Sequence, residues 1–151
     1  MDKAEELRYL FLAVQREGNR ALTDALSPLE LTPAQAEVLQ VLNQYPLLTL
    51  IELGERLVCE TGSPSRLVSS MVEKGLVQKT TSEVDRRASQ LRLTARALEL
   101  MPRLNAIEAQ FNQALFDFLD DETMDTAIRL LWQLAENAPS GQALLRRKNR
   151  T

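Results

Sequence analysis

The side chains best suited to chemistry lie in two short segments in the middle of the chain. The first segment runs from 63 to 74 and is followed by a glycine. On a helical projection it places small polar groups and one arginine on a single arc, opposite an apolar arc: Ser63, Ser65, Arg66, Ser69 and Ser70. The second is the pair Arg86 and Arg87, which follows Asp85. Hydroxyl and guanidinium groups in this pattern predict a surface that binds a partner by hydrogen bonds and charge.

Covalent and metal chemistry is poorly supported by the same sequence. The chain has no histidine, which is the most frequent general base and metal ligand. Cys59 is its one cysteine, so we expect no disulfide within the chain and no cysteine-rich zinc site. No nucleophile motif and no phosphate-cradling glycine loop is present. We therefore expect a protein that is not an enzyme and that has neither a cofactor nor a bound metal.

Charge is distributed unevenly along the 151 residues. The net charge is −3, but residues 61–100 carry 7 basic and 4 acidic side chains, whereas residues 1–60 carry 5 basic and 10 acidic ones. A basic centre between acidic flanks favours a polyanion as the partner of the middle segment. The N-terminus lacks the apolar stretch of a secretory signal, and no apolar run reaches membrane-spanning length. The sequence predicts a cytoplasmic protein with no membrane contact.

The first half of the chain predicts four helices. Apolar spacing predicts a helix over residues 3–26, which ends before Pro28. Thr32 followed by Pro33 starts a second helix, and Thr49 caps a third that runs to about residue 57. Ser63 followed by Pro64 starts a fourth, which stops at residues 74–75. The fourth helix therefore presents the serines and the arginine.

The second half predicts a hairpin and two longer helices. Residues 76–81 and 88–93 read as two strands joined by a charged connection, which makes Arg86 and Arg87 the tip of the hairpin. Thr94 caps a fifth helix to about residue 119, and a sixth follows to about residue 137. Residues 139–151 are expected to form a flexible basic tail.

Helix, turn, helix and then a two-stranded hairpin is the order of a winged helix-turn-helix. A DNA major groove admits one α-helix, and small side chains let that helix approach the base edges closely. Arg66 is predicted to reach a guanine, and Ser63, Ser65, Ser69 and Ser70 to reach bases or phosphates. Arg86 or Arg87 is predicted to enter the adjacent minor groove, and Asp85 to hold the hairpin in shape.

The chain resembles the MarR family of winged-helix regulators from about residue 31 to residue 94. The matching segments are Leu-Thr-Pro-Ala-Gln at 31–35, Leu-Gly-Glu-Arg-Leu at 53–57, Ser-Arg-Leu-Val at 65–68, Glu-Lys-Gly-Leu-Val at 73–77, Asp-Arg-Arg-Ala at 85–88 and Leu-Arg-Leu-Thr at 91–94. The family often has a glycine at the start of the fifth helix, where this chain has Ala95-Arg96-Ala97. Its usual turn before the recognition helix also differs from residues 59–64 here.

The resemblance implies a mainly α fold with a small β-hairpin wing, in the α+β class. It implies a winged helix-turn-helix domain at 31–94 and helical dimerisation regions at 1–30 and 95–138. It also implies a homodimer that binds a pseudo-palindromic operator in double-stranded DNA as a transcriptional regulator, and we expect a repressor. A small-molecule effector or an oxidant would then change the dimer geometry and release the DNA. The sequence identifies no effector pocket.

Several simpler interpretations stand beside these. The serine face could be ordinary solvated surface, and the wing arginines could be solvated too. Cys59 is expected to be a buried small hydrophobe, since the oxidant-sensing members of the family carry their cysteine in the first helix. The alternative function is a winged-helix protein-interaction module that does not bind DNA, which the acidic flanks would suit. Steep salt dependence with a duplex would distinguish the two functions.

Overall fold

The computed structural model describes residues 1–59, 62–81 and 89–149. Helices dominate these ranges. The elements in chain order are α1 (Lys3–Leu26), α2 (Pro33–Gln44), β1 (Leu48–Thr49), α3 (Leu50–Gly54), α4 (Pro64–Glu73), β2 (Val77–Thr81), β3 (Ser89–Leu93), α5 (Ala95–Phe116), α6 (Asp121–Ala135) and α7 (Pro139–Lys148). A small sheet combines two strands between α4 and α5 with one short strand that precedes α3.

Side-chain caps fix where the helices begin. The Thr32 hydroxyl accepts a hydrogen bond from the Gln35 N–H at 3.2 Å, and the Gln35 side chain accepts one from the Thr32 N–H at 3.1 Å. This reciprocal pair is a capping box, and α3 has another between Thr49 and Glu52. Thr94 caps α5 through the Ala97 N–H at 3.2 Å. The predicted starts of α2, α3, α4 and α5 are therefore confirmed.

The sheet is antiparallel, with strand order β1-β3-β2. In the register, Val77 pairs with Leu93 and Leu48 pairs with Leu91. The main core lies under the sheet and around α2, because this helix is apolar over much of its circumference. Its fully buried large side chains come from α1 to α5 and the sheet: Leu26, Val38, Leu39, Val41, Leu42, Leu53, Val68, Met71, Val77, Leu91 and Leu104.

Several element ends differ from the prediction. Helix α3 ends at Gly54. After Glu55, the N–H groups of Arg56 and Leu57 bond three residues back, to Leu53 and Gly54, which tightens the chain into a turn. Helix α5 ends at Phe116 and α6 at Ala135, two or three residues earlier than expected. Strand β1 was not predicted, because two residues carry no detectable alternation.

The expectation of a flexible tail from residue 139 is wrong for residues 139–148, which form helix α7. Pro139 stands at the first helical turn, where its missing N–H costs nothing, so it starts this helix. Gly141 allows the chain to fold back closely, because a Cβ at that position would lie 1.9 Å from the Ala135 carbonyl oxygen. Ala143 is buried, so the helix is docked rather than frayed.

Candidate nucleic-acid interface

Helix α4 separates its side chains into a buried side and an exposed side. Leu67, Val68 and Met71 are buried against the rest of the domain. The opposite side exposes most of the predicted site residues: Ser63, Ser65, Arg66 and Ser69. The Ser63 hydroxyl caps the helix by accepting the Arg66 N–H at 3.5 Å. The structure thus brings four of the five predicted recognition-helix residues onto one accessible face.

Ser70, the fifth residue of that prediction, is in a different position. Unlike the other four, it is half-buried, and its hydroxyl donates a hydrogen bond to the Leu67 carbonyl at 2.7 Å. The same hydroxyl accepts one from Gln35 Nε2 at 3.3 Å. The first contact lies within α4, and the second joins the hydroxyl to α2. A contact between Ser70 and a ligand outside the protein remains a prediction, and these bonds also give the residue a positioning role.

Arg66 is exposed and has no carboxylate within 4.0 Å among the described residues, whose ion pairs are Arg20 with Glu17 and Arg147 with Glu37. Its guanidinium therefore keeps five donors that no described acidic side chain engages. A planar donor fork of this kind fits phosphate oxygens and the acceptor edge of guanine equally well.

The C-terminal end of α4 is bonded to the α1–α2 connection, to α2 and to α5. Lys74 Nζ donates to the Glu30 carbonyl oxygen, and at 3.1 Å to Gln35 Oε1. Gly75 follows at φ +72°, a left-handed conformation that strains other residues. The Arg96 guanidinium then donates to the Lys74 carbonyl at 3.1 Å. These bonds give α4 a fixed direction relative to the core.

A buried carboxylate on α2 holds residues 58 and 59, which lie between α3 and α4 in the chain. Glu37 on α2 is 7% exposed, and its carboxylate accepts hydrogen bonds from the N–H groups of Val58, at 2.9 and 3.0 Å, and Cys59, at 2.7 Å. The Arg147 guanidinium lies 2.9 Å from the same carboxylate. Sequence patterns gave no signal for this arrangement, because its members are separated by up to 110 residues.

The structure corrects the expectation that Cys59 is a buried hydrophobe, because the residue is exposed. The sulfur nonetheless lies partly among protein atoms and close to Glu37. Desolvation, followed by the Glu37 charge and its hydrogen bond to the thiol, raises the pKa of Cys59 to about 11. The thiolate, which is the reactive form, is therefore a very minor species near neutral pH.

The hairpin supplies further basic groups. Lys79 on β2 and Arg92 on β3 are exposed, and Arg92 stands opposite Gln78 in the register. Sequence patterns did not single out Lys79 as a site residue, although its place on a strand of the wing could have suggested it. The predicted tip residues Asp85, Arg86 and Arg87 lie outside the described residues. Their roles remain predictions.

Helices α1 and α6 expose apolar side chains over much of their length. A groove of about 390 Å³ between them is lined by Leu7, Phe11, Leu12 and Leu134, together with Ala4 and Arg8. Leu134 is 61% exposed. Large apolar side chains gathered on one surface are uncommon on a monomeric soluble protein.

In the described residues, no helix combines the length and the hydropathy that crossing a membrane requires.

Taken together, an exposed serine and arginine helix, a helix and turn packed against it, and a neighbouring antiparallel hairpin define a winged helix-turn-helix protein. Residues 31–89 match the family model described as "MarR family". The chain therefore carries a MarR-family domain, and the resemblance in the sequence is confirmed over those residues.

Solved structures agree with this assignment over most of the chain. A cysteine-to-serine mutant of MarR from E. coli in complex with operator DNA is 27% identical, with a TM-score of 0.79, and the match covers 89% of this chain and 99% of that one. A MarR-like transcription regulator from Bacillus cereus is 18% identical, with a TM-score of 0.80 and coverage of 89% and 97%. An organohalide-sensing regulator in a 2,4-dichlorophenol-bound form is 21% identical, with a TM-score of 0.83 and coverage of 92% and 83%. The mainly helical winged-helix fold with a small antiparallel sheet is thus confirmed.

Proposed function

We propose that this protein is a DNA-binding transcriptional regulator, and that it represses by occupying a pseudo-palindromic operator as a homodimer. The observation that carries the proposal is the exposed face of α4, where three small hydroxyl side chains surround an arginine with no described acidic partner. The 27% identical relative that was solved with operator DNA supports the same partner. The mechanism is binding, without a covalent step.

The proposed contacts divide into two kinds. Arg66 reads a base edge, since its fork matches the two acceptors of guanine, and Ser63, Ser65 and Ser69 contact bases or phosphates. The wing provides positive charge beside the groove: Lys79 and Arg92 on its strands, and Arg86 and Arg87 at its tip, with Asp85 in a structural role. Phosphate contacts of this kind fix the register and make binding salt-dependent.

A homodimer would cover the apolar groove of α1 and α6, and a two-fold axis would repeat the recognition helix. Two copies of α4 would then enter successive major grooves about 34 Å apart, which explains why a pseudo-palindrome is expected. A single copy would expose Leu7, Phe11 and Leu134 to water. The same groove could instead receive an unrelated protein, as an interaction module would require.

The proposed effector site lies near the end of α4. A cavity of about 360 Å³ lies between the α1–α2 connection, the end of α4 and the start of α5. Its apolar walls consist of Leu29, Leu31, Leu76 and Leu100. Its charged lining consists of Lys74, Arg96, Glu30 and Glu73. If α4 has two orientations, a ligand that binds this cavity more tightly in one of them would shift the dimer between DNA-binding and non-binding states.

The test of the proposal compares two arginine variants on operator candidates from the protein's own upstream region. Arg66→Ala should lose base discrimination at one position by about 1–3 kcal/mol, the range of a bidentate arginine–guanine contact. Arg103→Ala is the matched control, because it removes an equal charge from an exposed arginine on α5. Equal losses in the two variants would show that α4 does not read sequence.

A further inference from the structure

The C-terminal helix α7 lies against α2, on the side where the chain turns from α3 into α4. The Tyr45 hydroxyl donates to the Arg147 carbonyl at 2.8 Å, and Gln44 Nε2 donates to the same oxygen at 3.3 Å. Ala143 on α7 is buried. Gln44, the last residue of α2, and Tyr45, its C-cap, thus bind the backbone of α7. These bonds fix the position of Arg147.

That place is next to a buried carboxylate. Glu37 is almost fully buried, and a buried carboxylate is costly unless a cation and hydrogen bonds compensate it. Arg147 is the one cation within 4.0 Å of it among residues 1–59, 62–81 and 89–149. The hydrogen bonds come from the backbone N–H groups of Val58 and Cys59. Both groups lie between α3 and the recognition helix in the chain.

We propose that α7 is a positioning element for DNA binding: Arg147 compensates Glu37, and the compensated carboxylate holds the turn that directs α4. The inference rests on the proposed function, since α4 is taken as the helix that enters the groove. The proposed function does not require α7. The inference adds that α7 sets the direction of the recognition helix. Displacing α7 would leave Glu37 buried without its counter-ion and release the turn.

Neighbouring arginines on α7 provide a matched pair of variants. Arg146 lies one residue before Arg147, and its guanidinium donates to the Glu55 carbonyl at 3.4 Å instead of pairing with Glu37. Arg147→Gln and Arg146→Gln remove the same charge from the same helix, so long-range attraction to DNA changes equally. A larger loss of operator binding in Arg147→Gln therefore shows that its contact with Glu37 matters more than the long bond from Arg146 to the Glu55 carbonyl.

The first measurement is fluorescence anisotropy, which reports binding of the full-length protein to a DNA duplex. Two duplexes are compared at one salt concentration: an operator selected with the wild-type protein and an unrelated sequence. We expect Arg147→Gln to bind the operator about tenfold more weakly than Arg146→Gln, a difference of about 1.4 kcal/mol. Binding to the unrelated duplex should be the same for both. Arg147→Lys, which keeps the charge, should return most of the affinity. Equal operator affinities for the two glutamine variants would overturn the proposal.

The second measurement uses the thiol of Cys59 and does not depend on DNA. It is the chain's one cysteine, so a thiol reagent reports this turn alone. If Arg147→Gln removed only a charge, the pKa of Cys59 would rise further and the reaction would slow, because Arg147 opposes the larger effects of desolvation and Glu37. If the turn is released, the sulfur gains water and the reaction accelerates. The proposal predicts acceleration in Arg147→Gln and the wild-type rate in Arg146→Gln.

The two measurements separate this inference from the proposed function. Wild-type protein that binds no duplex would refute the DNA-binding function, while the thiol rates would still show whether α7 holds the turn. A slower or unchanged Cys59 reaction in Arg147→Gln would refute the positioning role even if DNA binding is strong. Should Arg147→Gln fail to fold, Arg147→Lys and Arg146→Gln can be compared instead. The inference then predicts wild-type thiol rates in both, and acceleration in Arg146→Gln would contradict it.

Discussion

Truncating one leucine on the apolar groove between α1 and α6 should weaken dimerisation by an amount that follows from its exposure. Leu134 is 61% exposed in a single chain. Full burial of a leucine side chain contributes about 2 kcal/mol, so covering the exposed part contributes about 1 kcal/mol per subunit. A two-fold interface contains the residue twice. Leu134→Ala should therefore cost about 2 kcal/mol of dimer stability, or roughly a 30-fold rise in the dimer Kd.

Sedimentation velocity across a dilution series measures this change directly. Ile51→Ala is the matched control, because Ile51 is 75% exposed but lies on α3, away from the groove. We expect the control to dimerise like the wild type and both variants to unfold at similar temperatures. Dimerisation through this groove is refuted if the wild type stays monomeric at concentrations on the order of tens of micromolar, or if the two variants dimerise equally well.

Three further perturbations test local parts of the structure. Thr32→Ala removes the hydroxyl of the α2 capping box and should lower the free energy of unfolding by about 1 kcal/mol in urea titrations, whereas Thr32→Ser should be close to neutral. Ser70→Ala should cost about 1 kcal/mol of stability through the lost bond from Gln35, with operator preference kept; a changed base preference would instead support direct DNA contact. Because burial, more than the Glu37 charge, raises the pKa of Cys59 to about 11, alkylation should still accelerate above about pH 9, and a plateau near the ordinary thiol value would contradict the described turn.

Much of the DNA-facing half was predictable because its signals are local. Ser63 before Pro64 marks the start of α4, and Gly75 marks its end, so the spacing alone indicates which side chains face outward. Leu67, Val68 and Met71 are buried as the apolar arc predicts. The fold followed from the order of these elements, and the solved structures of similar proteins confirm it.

Other features depend on contacts between distant parts of the chain and were therefore missed. The flexible tail expected from residue 139 is a helix instead, because a proline in the first turn favours a helix and the basic residues near 148 suit its last turn. Ser70 lies on the polar arc of α4, but the position of Gln35 on another helix draws its hydroxyl inward. The role of Glu37 required knowing where α7 docks.

Binding to duplex DNA underlies the other functional proposals, and its most direct test is fluorescence anisotropy of the purified protein. The duplex pool should include the protein's own upstream region, and each duplex should be measured at two salt concentrations. We expect tight binding to a pseudo-palindromic sequence, with affinity that falls steeply as salt rises because phosphate contacts release counterions. A folded, dimeric protein that binds no duplex at low salt would refute DNA binding as its function and favour a protein partner.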